Sequence, residues 1–275
     1  MNNYEVSGLK DFNIEEILEC GQCFRFERLE HMKYRILALG EEIVVTQKGD
    51  SLFVENCTEE NFHKKWWHYF DMDTDYGEIK RTISENDEIM ARAVDFAGGI
   101  RLLNQEPYEC LLSFIISQNN NIPRIKKIIG AMCERYGTQG RFPTATEMSS
   151  ATEEELFALK MGFRNKYIYD GVQKILNMEV NLSELYGTET SKARAELEKI
   201  KGVGPKVADC VLLFSLGHRN VFPVDVWVRR VMSELYFGGE EQSIKTISAF
   251  AEEKWGALAG YAQQYLFYYA RSGNI

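Results

Sequence analysis

The stretch Ile200-Lys201-Gly202-Val203-Gly204-Pro205-Lys206-Val207-Ala208-Asp209-Cys210 decides how this chain is read. One helix closes at Ile200, two glycines flank a single apolar residue, and a new helix opens at Pro205, a residue suited to a first helical position. Glycines here permit positive φ and let the backbone approach another molecule closely. The free amides that begin the second helix form a site for a phosphate oxygen. A Gly-x-Gly turn alone fits two readings equally: a plain connection between helices, and a hairpin that clamps a DNA backbone without reading its sequence. The surrounding string, apolar-Lys-Gly-Val-Gly-Pro-Lys-Val-Ala, is more specific than the turn and favours the clamp.

Lys206 falls in the first turn of the second helix, and Cys210, four residues on, shares its face. A lysine partly desolvated beside other basic groups can act as a nucleophile. A solvated lysine above a core cysteine is the competing reading. Asp225 follows within Val221-Phe222-Pro223-Val224-Asp225-Val226-Trp227-Val228-Arg229-Arg230, just before an apolar-periodic helix whose N-terminus it can cap. A carboxylate held by helix amides stays ionised, which suits it to stabilise a developing oxocarbenium ion. Cap and catalyst are compatible roles.

The bulk properties are those of a globular protein. The 275 residues are 45% hydrophobic and 27% charged, enough for a buried core and two or three packed subdomains. No run approaches the length of a membrane span, and the acidic start MNNYEVSGLKDFNIEE has no apolar signal core. An intracellular, cytoplasmic protein is expected, and a monomer by default. Six scattered cysteines predict reduced, buried thiols, and the lone Cys20-x-x-Cys23 pair is no zinc motif. The net charge of −9 argues against nucleic acid until it is mapped. Residues 1–100 hold 11 Lys/Arg against 21 Asp/Glu, leaving 21 against 20 for residues 101–275. The larger, C-terminal part is free to carry basic patches.

The fold class expected is α+β and mostly α-helical. Short runs at Gln22–Arg28, Lys33–Leu39, Glu42–Gln47 and Ser51–Glu55, punctuated by Gly40 and Gly49-Asp50, predict a small antiparallel sheet in an N-terminal domain of residues 1–100. A helix is expected over Thr58–Phe70. Residues 101–275 form a helical body, with helices expected at Pro107–Ser117, Ile122–Tyr136, Thr144–Met148, Thr152–Leu159, Lys166–Met178, Pro205–Ser215, Val226–Leu235, Ser243–Trp255 and Ala259–Arg271, among others. Thr152 begins the Thr-x-x-Glu pattern of a capping box.

The string Gly202–Asp209 followed by Val221–Val226 resembles the helix-hairpin-helix DNA glycosylase superfamily, and retention of both Lys206 and Asp225 resembles its bifunctional glycosylase/lyase members. Three further segments are similar to the 8-oxoguanine DNA glycosylase family: Cys20-Gly21-Gln22-Cys23-Phe24-Arg25-Phe26; Gly99–Cys110 running into Phe114–Ile125; and Gly260-Tyr261-Ala262-Gln263-Gln264-Tyr265-Leu266-Phe267. The resemblance covers most of the chain. It implies a two-lobed helical body with the helix-hairpin-helix motif, a C-terminal helix lining a lesion pocket, no cofactor, and as partner double-stranded DNA containing oxidised guanine.

The resemblance also implies roles. Asn119, Arg124 and Arg164 match the set that contacts the cytosine orphaned by base flipping, and Phe163 matches an aromatic wedge beside it. Gly202 and Gly204 shape the DNA clamp. Phe267 would stack on the flipped purine, Gln263 would read its Watson–Crick edge, and the Gly21 carbonyl would accept the N7 hydrogen that oxidised guanine has and guanine lacks. Cys210 would line the same pocket. Lys206 would attack C1′ and Asp225 would stabilise the sugar cation, giving a Schiff base and β-elimination. Trp227 stands where the family has a histidine that helps hold DNA, so that contact is not expected and packing is the other reading. Cys20 and Cys23 replace serines.

Other readings remain. An endonuclease III-type enzyme acting on oxidised pyrimidines, or an adenine-removing one, usually carries four clustered C-terminal cysteines for an iron–sulfur cluster, and no cysteine follows Cys210. A non-catalytic DNA-binding module would keep the hairpin but have no need of Lys206, Asp225 or the pocket residues. A metalloenzyme is disfavoured because His31, His63, His68 and His218 never pair at ligand spacing.

Overall fold

A computed structural model describes residues 3–274. The N-terminal part is a five-stranded antiparallel sheet of β1 (Asn3–Val6), β2 (Phe26–Glu30), β3 (Lys33–Ala38), β4 (Glu41–Lys48) and β5 (Ser51–Glu55), in the order β1-β5-β4-β3-β2. Strand alternation sends Tyr34, Ile36 and Ala38 inward, where Tyr34 faces Val45 and Ile36 faces Ile43 across the ladder. Leu39 and Gly40, both at positive φ, join β3 to β4 as a two-residue hairpin turn whose twist matches the strands. The inner face is covered by the Ile14–Glu19 helix, capped by Asn13, and by Phe62, Trp66, Tyr69 and Phe70.

A second, larger core holds the helical body. The helices Tyr76–Ser84 and Glu88–Phe96 contribute Tyr76, Ile79, Ile83, Met90 and Ala93 to it, so the change of core falls before residue 100. Tyr76 meets Tyr261 edge to face across 5.5 Å, tying these helices to the C-terminal one. The Pro107–Ser117 helix packs on Pro205–Phe214, and the Ala259–Tyr269 helix packs on both Glu88–Phe96 and Val226–Tyr236. The Gly260 amide donates to the Arg219 carbonyl at 2.8 Å, pinning the C-terminal helix to the loop that leads to Asp225.

The helices Pro107–Ser117 and Ile122–Tyr136 lie where the pattern puts them, and the capping box of Thr152 with Glu155 is formed. Three segments differ. The expected strand at Gln22 begins only at Phe26, because the Gln22 amide is fully buried and bonded to the Ile17 carbonyl, the Arg101 carbonyl and the Leu103 amide. Thr144–Met148 is a series of turns, not a helix, although Met148 N–H reaches the Thr144 carbonyl at 3.1 Å. The expected helix over Thr58–Phe70 is interrupted by a π turn, Phe62–Trp66, which brings both of those large side chains into the core. No helix among the described residues is long and apolar enough to cross a membrane.

Candidate active site

The hairpin forms as the sequence requires. Gly202 has φ +80, and a methyl group there would lie 2.2 Å from Cδ2 of Tyr167, so both conformation and space exclude any side chain. The Lys201 amide donates to Asp170 Oδ2 at 2.7 Å, which fixes the approach to the turn. Gly204 enters the Pro205–Phe214 helix with extended backbone and no side-chain cap, and a Cβ there would meet nothing within 4 Å. The first-turn amides of this helix are therefore uncovered by any capping side chain, as an anion clamp needs.

Lys206 is half-buried, with Nζ 5.1 Å from the centre of the Phe114 ring. Phe114 meets Phe24 edge to face at 5.6 Å and stacks on Phe214 at 5.5 Å. One aromatic ring thus links the Gly21–Phe26 segment to the lysine. Burial pushes the Cys210 thiol up to about 11, against the opposing charge of Lys206 and with the added charges of Asp209 and then Asp225. The thiol is neutral near pH 7. Lys206 and Cys210 stand four residues apart on one face of the Pro205–Phe214 helix, and the charge of Asp225 reaches the same sulfur. Asp225 caps the Val226–Tyr236 helix, its Oδ1 accepting the Val228 N–H at 2.8 Å.

On the other side of Phe24, Gly21 has φ +84, and a methyl group there would lie 3.3 Å from Cε1 of Phe267. Gly21 and Phe267 are thus face to face. Gln263 is 5% exposed, and its Oε1 is buried with no hydrogen-bond partner among the described residues. Its neighbour Gln264 is instead spent on the fold, donating to the Cys20 carbonyl at 2.8 Å. Gln105 donates to the Gln22 carbonyl at 2.7 Å. Amides from two distant segments hold the backbone on either side of Gly21, and the oxygen of Gln263, next to Gln264, is left over.

The set matched to the orphaned cytosine is also gathered, with one difference. Asn119 sits exposed at φ +48, and Phe163 is 51% exposed with its ring under Arg164 Cζ at 4.4 Å. Arg124 is exposed and lends one N–H to the Lys160 carbonyl at 3.2 Å. Arg164 is only 3% exposed. Its guanidinium donates to the carbonyls of Gln118, Met161 and Asn119, so in the free chain it shapes the Asn119 turn instead of presenting its donors outward. Burial, and then the charge of Arg124, lowers its pKa. Trp227 does not pack into the core: it is 57% exposed and Val226 beside it 83%, because both stand on the outer face of the helix that Asp225 caps.

The charge distribution takes structural form. Cations of the sheet are neutralised in place, as in Arg28–Glu15, Lys33–Glu55 and Arg35 with Glu42. Lys201 in the hairpin, Arg230 in the helix that Asp225 caps, and Lys166 beside Tyr167 in sequence are exposed and enter no ion pair among the described residues. The sequence reading missed Phe114, whose signal is its place in the run ahead of Gln118-Asn119, and the bracing amides of Gln22, Gln105 and Gln264, whose signal is a polar residue inside an apolar string.

Two family models together match most of the chain: 8-oxoguanine DNA glycosylase, N-terminal domain, over residues 6–111, and HhH-GPD superfamily base excision DNA repair protein over residues 112–257. An N-glycosylase/DNA lyase of Saccharomyces cerevisiae is 34% identical over 62% of this chain and 56% of its own length. The N-glycosylase/DNA lyase OGG1 of Arabidopsis thaliana is 31% identical over 90% of this chain and 74% of its own. Among solved structures, the Clostridium acetobutylicum 8-oxoguanine glycosylase/lyase, in complex with double-stranded DNA containing cytosine opposite 8-oxoG, superposes with a TM-score of 0.95 at 42% identity, covering 100% of this chain and 97% of that one. The chain belongs to the HhH-GPD superfamily of base excision DNA repair proteins, in the branch that carries the 8-oxoguanine DNA glycosylase N-terminal domain.

Proposed function

We propose that this chain is a bifunctional DNA glycosylase/lyase that excises 8-oxoguanine, preferentially opposite cytosine, from duplex DNA inside the cell. The observation that carries the reading is the half-buried Lys206 in the first turn of an uncapped hairpin helix, its Nζ over the Phe114 ring that packs on Phe24, close in sequence to the Gly21–Phe267 contact. The hairpin amides and the unpaired cations hold the backbone, and the target nucleotide leaves the stack because C1′ is unreachable within the duplex. Phe163 fills the gap, while Asn119 and Arg124 meet the orphaned cytosine, with Arg164 behind them.

The flipped purine stacks on Phe267. Gln263 Oε1, unpartnered in the free chain, accepts from the Watson–Crick edge, and the Gly21 carbonyl accepts the N7 hydrogen. The amine of Lys206 bonds to C1′ as the bond from C1′ to N9 breaks, and the base leaves with the electron pair and takes up the proton that the amine sheds. The Asp225 carboxylate stabilises the positive charge on the sugar during this exchange. Ring opening gives the Schiff base, loss of a C2′ proton expels the 3′ phosphate, and hydrolysis frees the lysine.

Borohydride trapping on a duplex with one 8-oxoguanine opposite cytosine, in EDTA, tests this. A covalent adduct is expected with the wild-type chain and none with Lys206→Gln, which keeps its affinity for the duplex. Base release that survives Lys206→Gln, or a wild-type chain that binds the duplex and neither traps nor cleaves it, overturns the assignment.

A further inference from the structure

Arg271 has no part in the site described so far. It is four residues past Phe267, in the π turn Ala270–Asn274 that ends the C-terminal helix. Its position is unusual for an exposed arginine at a helix end. A methyl group built on Gly21 would sit 3.2 Å from Arg271 Nη1 and 3.3 Å from Phe267 Cε1, so the guanidinium and the stacking ring close over the same glycine. Arg271 forms no ion pair and no hydrogen bond among the described residues. The guanidinium lies at the pocket with its donors unspent.

Oxidation of guanine at C8 changes two adjacent ring positions at once. N7 turns from an acceptor into an N–H donor, and C8–H becomes a carbonyl. The complement of that edge is an acceptor beside a donor. The Gly21 carbonyl accepts no backbone hydrogen bond from the described residues, and Arg271 Nη1 stands over the same residue. We propose that Arg271 is a specificity-determining residue whose guanidinium donates a hydrogen bond to the C8 oxygen of the flipped 8-oxoguanine, forming with the Gly21 carbonyl a two-point reader of the oxidised edge. This inference rests on the lesion assignment above. Guanine meets the pair twice wrongly, with its N7 lone pair against the carbonyl and a C8–H against the cation. A charged donor to a carbonyl is among the stronger hydrogen bonds, and guanine cannot make it.

The test compares two substrates in one duplex sequence, 8-oxoguanine opposite cytosine and a pre-formed abasic site opposite cytosine, under single-turnover conditions. Arg271→Ala is expected to slow 8-oxoguanine release by about ten- to a hundredfold relative to its rate on the abasic site, the loss of one charge-assisted hydrogen bond. Arg271→Lys, which keeps a charged donor on a different stem, is expected to fall between. Equal losses on both substrates would assign Arg271 to a phosphate and overturn the proposal, as would unchanged release by Arg271→Ala. A wild-type chain that cleaves the abasic duplex but leaves 8-oxoguanine in place would instead remove the lesion assignment on which this proposal stands.

Discussion

Gly202 faces the ring of Tyr167 so closely that a single methyl group on its α-carbon would fall 2.2 Å from Cδ2. With φ at +80, the hairpin needs glycine for its conformation as well as for its space. A left-handed residue costs a non-glycine roughly 1–2 kcal/mol, and overpacking against a ring adds about 1–3 kcal/mol. Gly202→Ala should therefore lose about 2–5 kcal/mol of unfolding free energy, or displace the turn and weaken binding to any duplex, damaged or not. Urea melts read with undamaged-duplex affinity check this. A variant normal in both would show that the turn is not rigid.

Asp225 has two readings, helix cap and catalyst, and one substitution separates them. Asparagine caps a helix about as well as aspartate, so Asp225→Asn should keep the Val228 contact and shift stability by less than about 0.5 kcal/mol. Removing the charge should nonetheless slow base release by about 10²–10³-fold, the usual scale for losing one electrostatic stabiliser of a transition state. Thermal melting and single-turnover rates on the same preparation decide it. Full activity would leave Asp225 a cap only.

Gln263 holds a buried oxygen without a partner, which a fold selected for stability alone would not keep. An unsatisfied buried polar group costs about 1–3 kcal/mol. Gln263→Leu should accordingly be as stable as the wild type or about 1 kcal/mol more so, while 8-oxoguanine release falls at least tenfold. Loss of stability together with retained release would show the amide to be part of the core.

The hairpin, the long amphipathic helices and the Asp225 cap were legible because each depends on local rules: glycine conformation, proline at a first turn, a capping carboxylate, helical period. What escaped depends on partners far away in the chain. Gln263 and Gln264 are adjacent and chemically identical, and only the distant Cys20 carbonyl determines which one is spent. Arg164 matches the cytosine-contacting set by position, yet the carbonyls of Gln118 and Asn119 occupy it. Gln22 looked like part of a strand because its neighbours are aromatic, and its buried amide bonds pull it out of the sheet. Packing was the other reading for Trp227, but its place in the first turn after the Asp225 cap leaves it outside the core.

Where the sheet meets the helical body, Glu109 lies half-buried against Arg25, with Oε2 to Nη1 at 3.2 Å. Burial raises its carboxyl from 4.5 to about 7, the charge of Arg25 opposing that rise. Between those two values the folded chain binds more protons at this site than the unfolded one, so this group stabilises the fold at low pH and loses that contribution as pH rises through about 7. Glutamine, neutral throughout, removes the dependence. Glu109→Gln should gain stability relative to wild type on going from pH 5 to pH 8, by on the order of 2 kcal/mol. Urea midpoints for both chains at the two pH values measure it. A difference that stays flat, or reverses so that wild type gains at pH 8, would mean that the Arg25 ion pair outweighs the cost of burying the carboxylate.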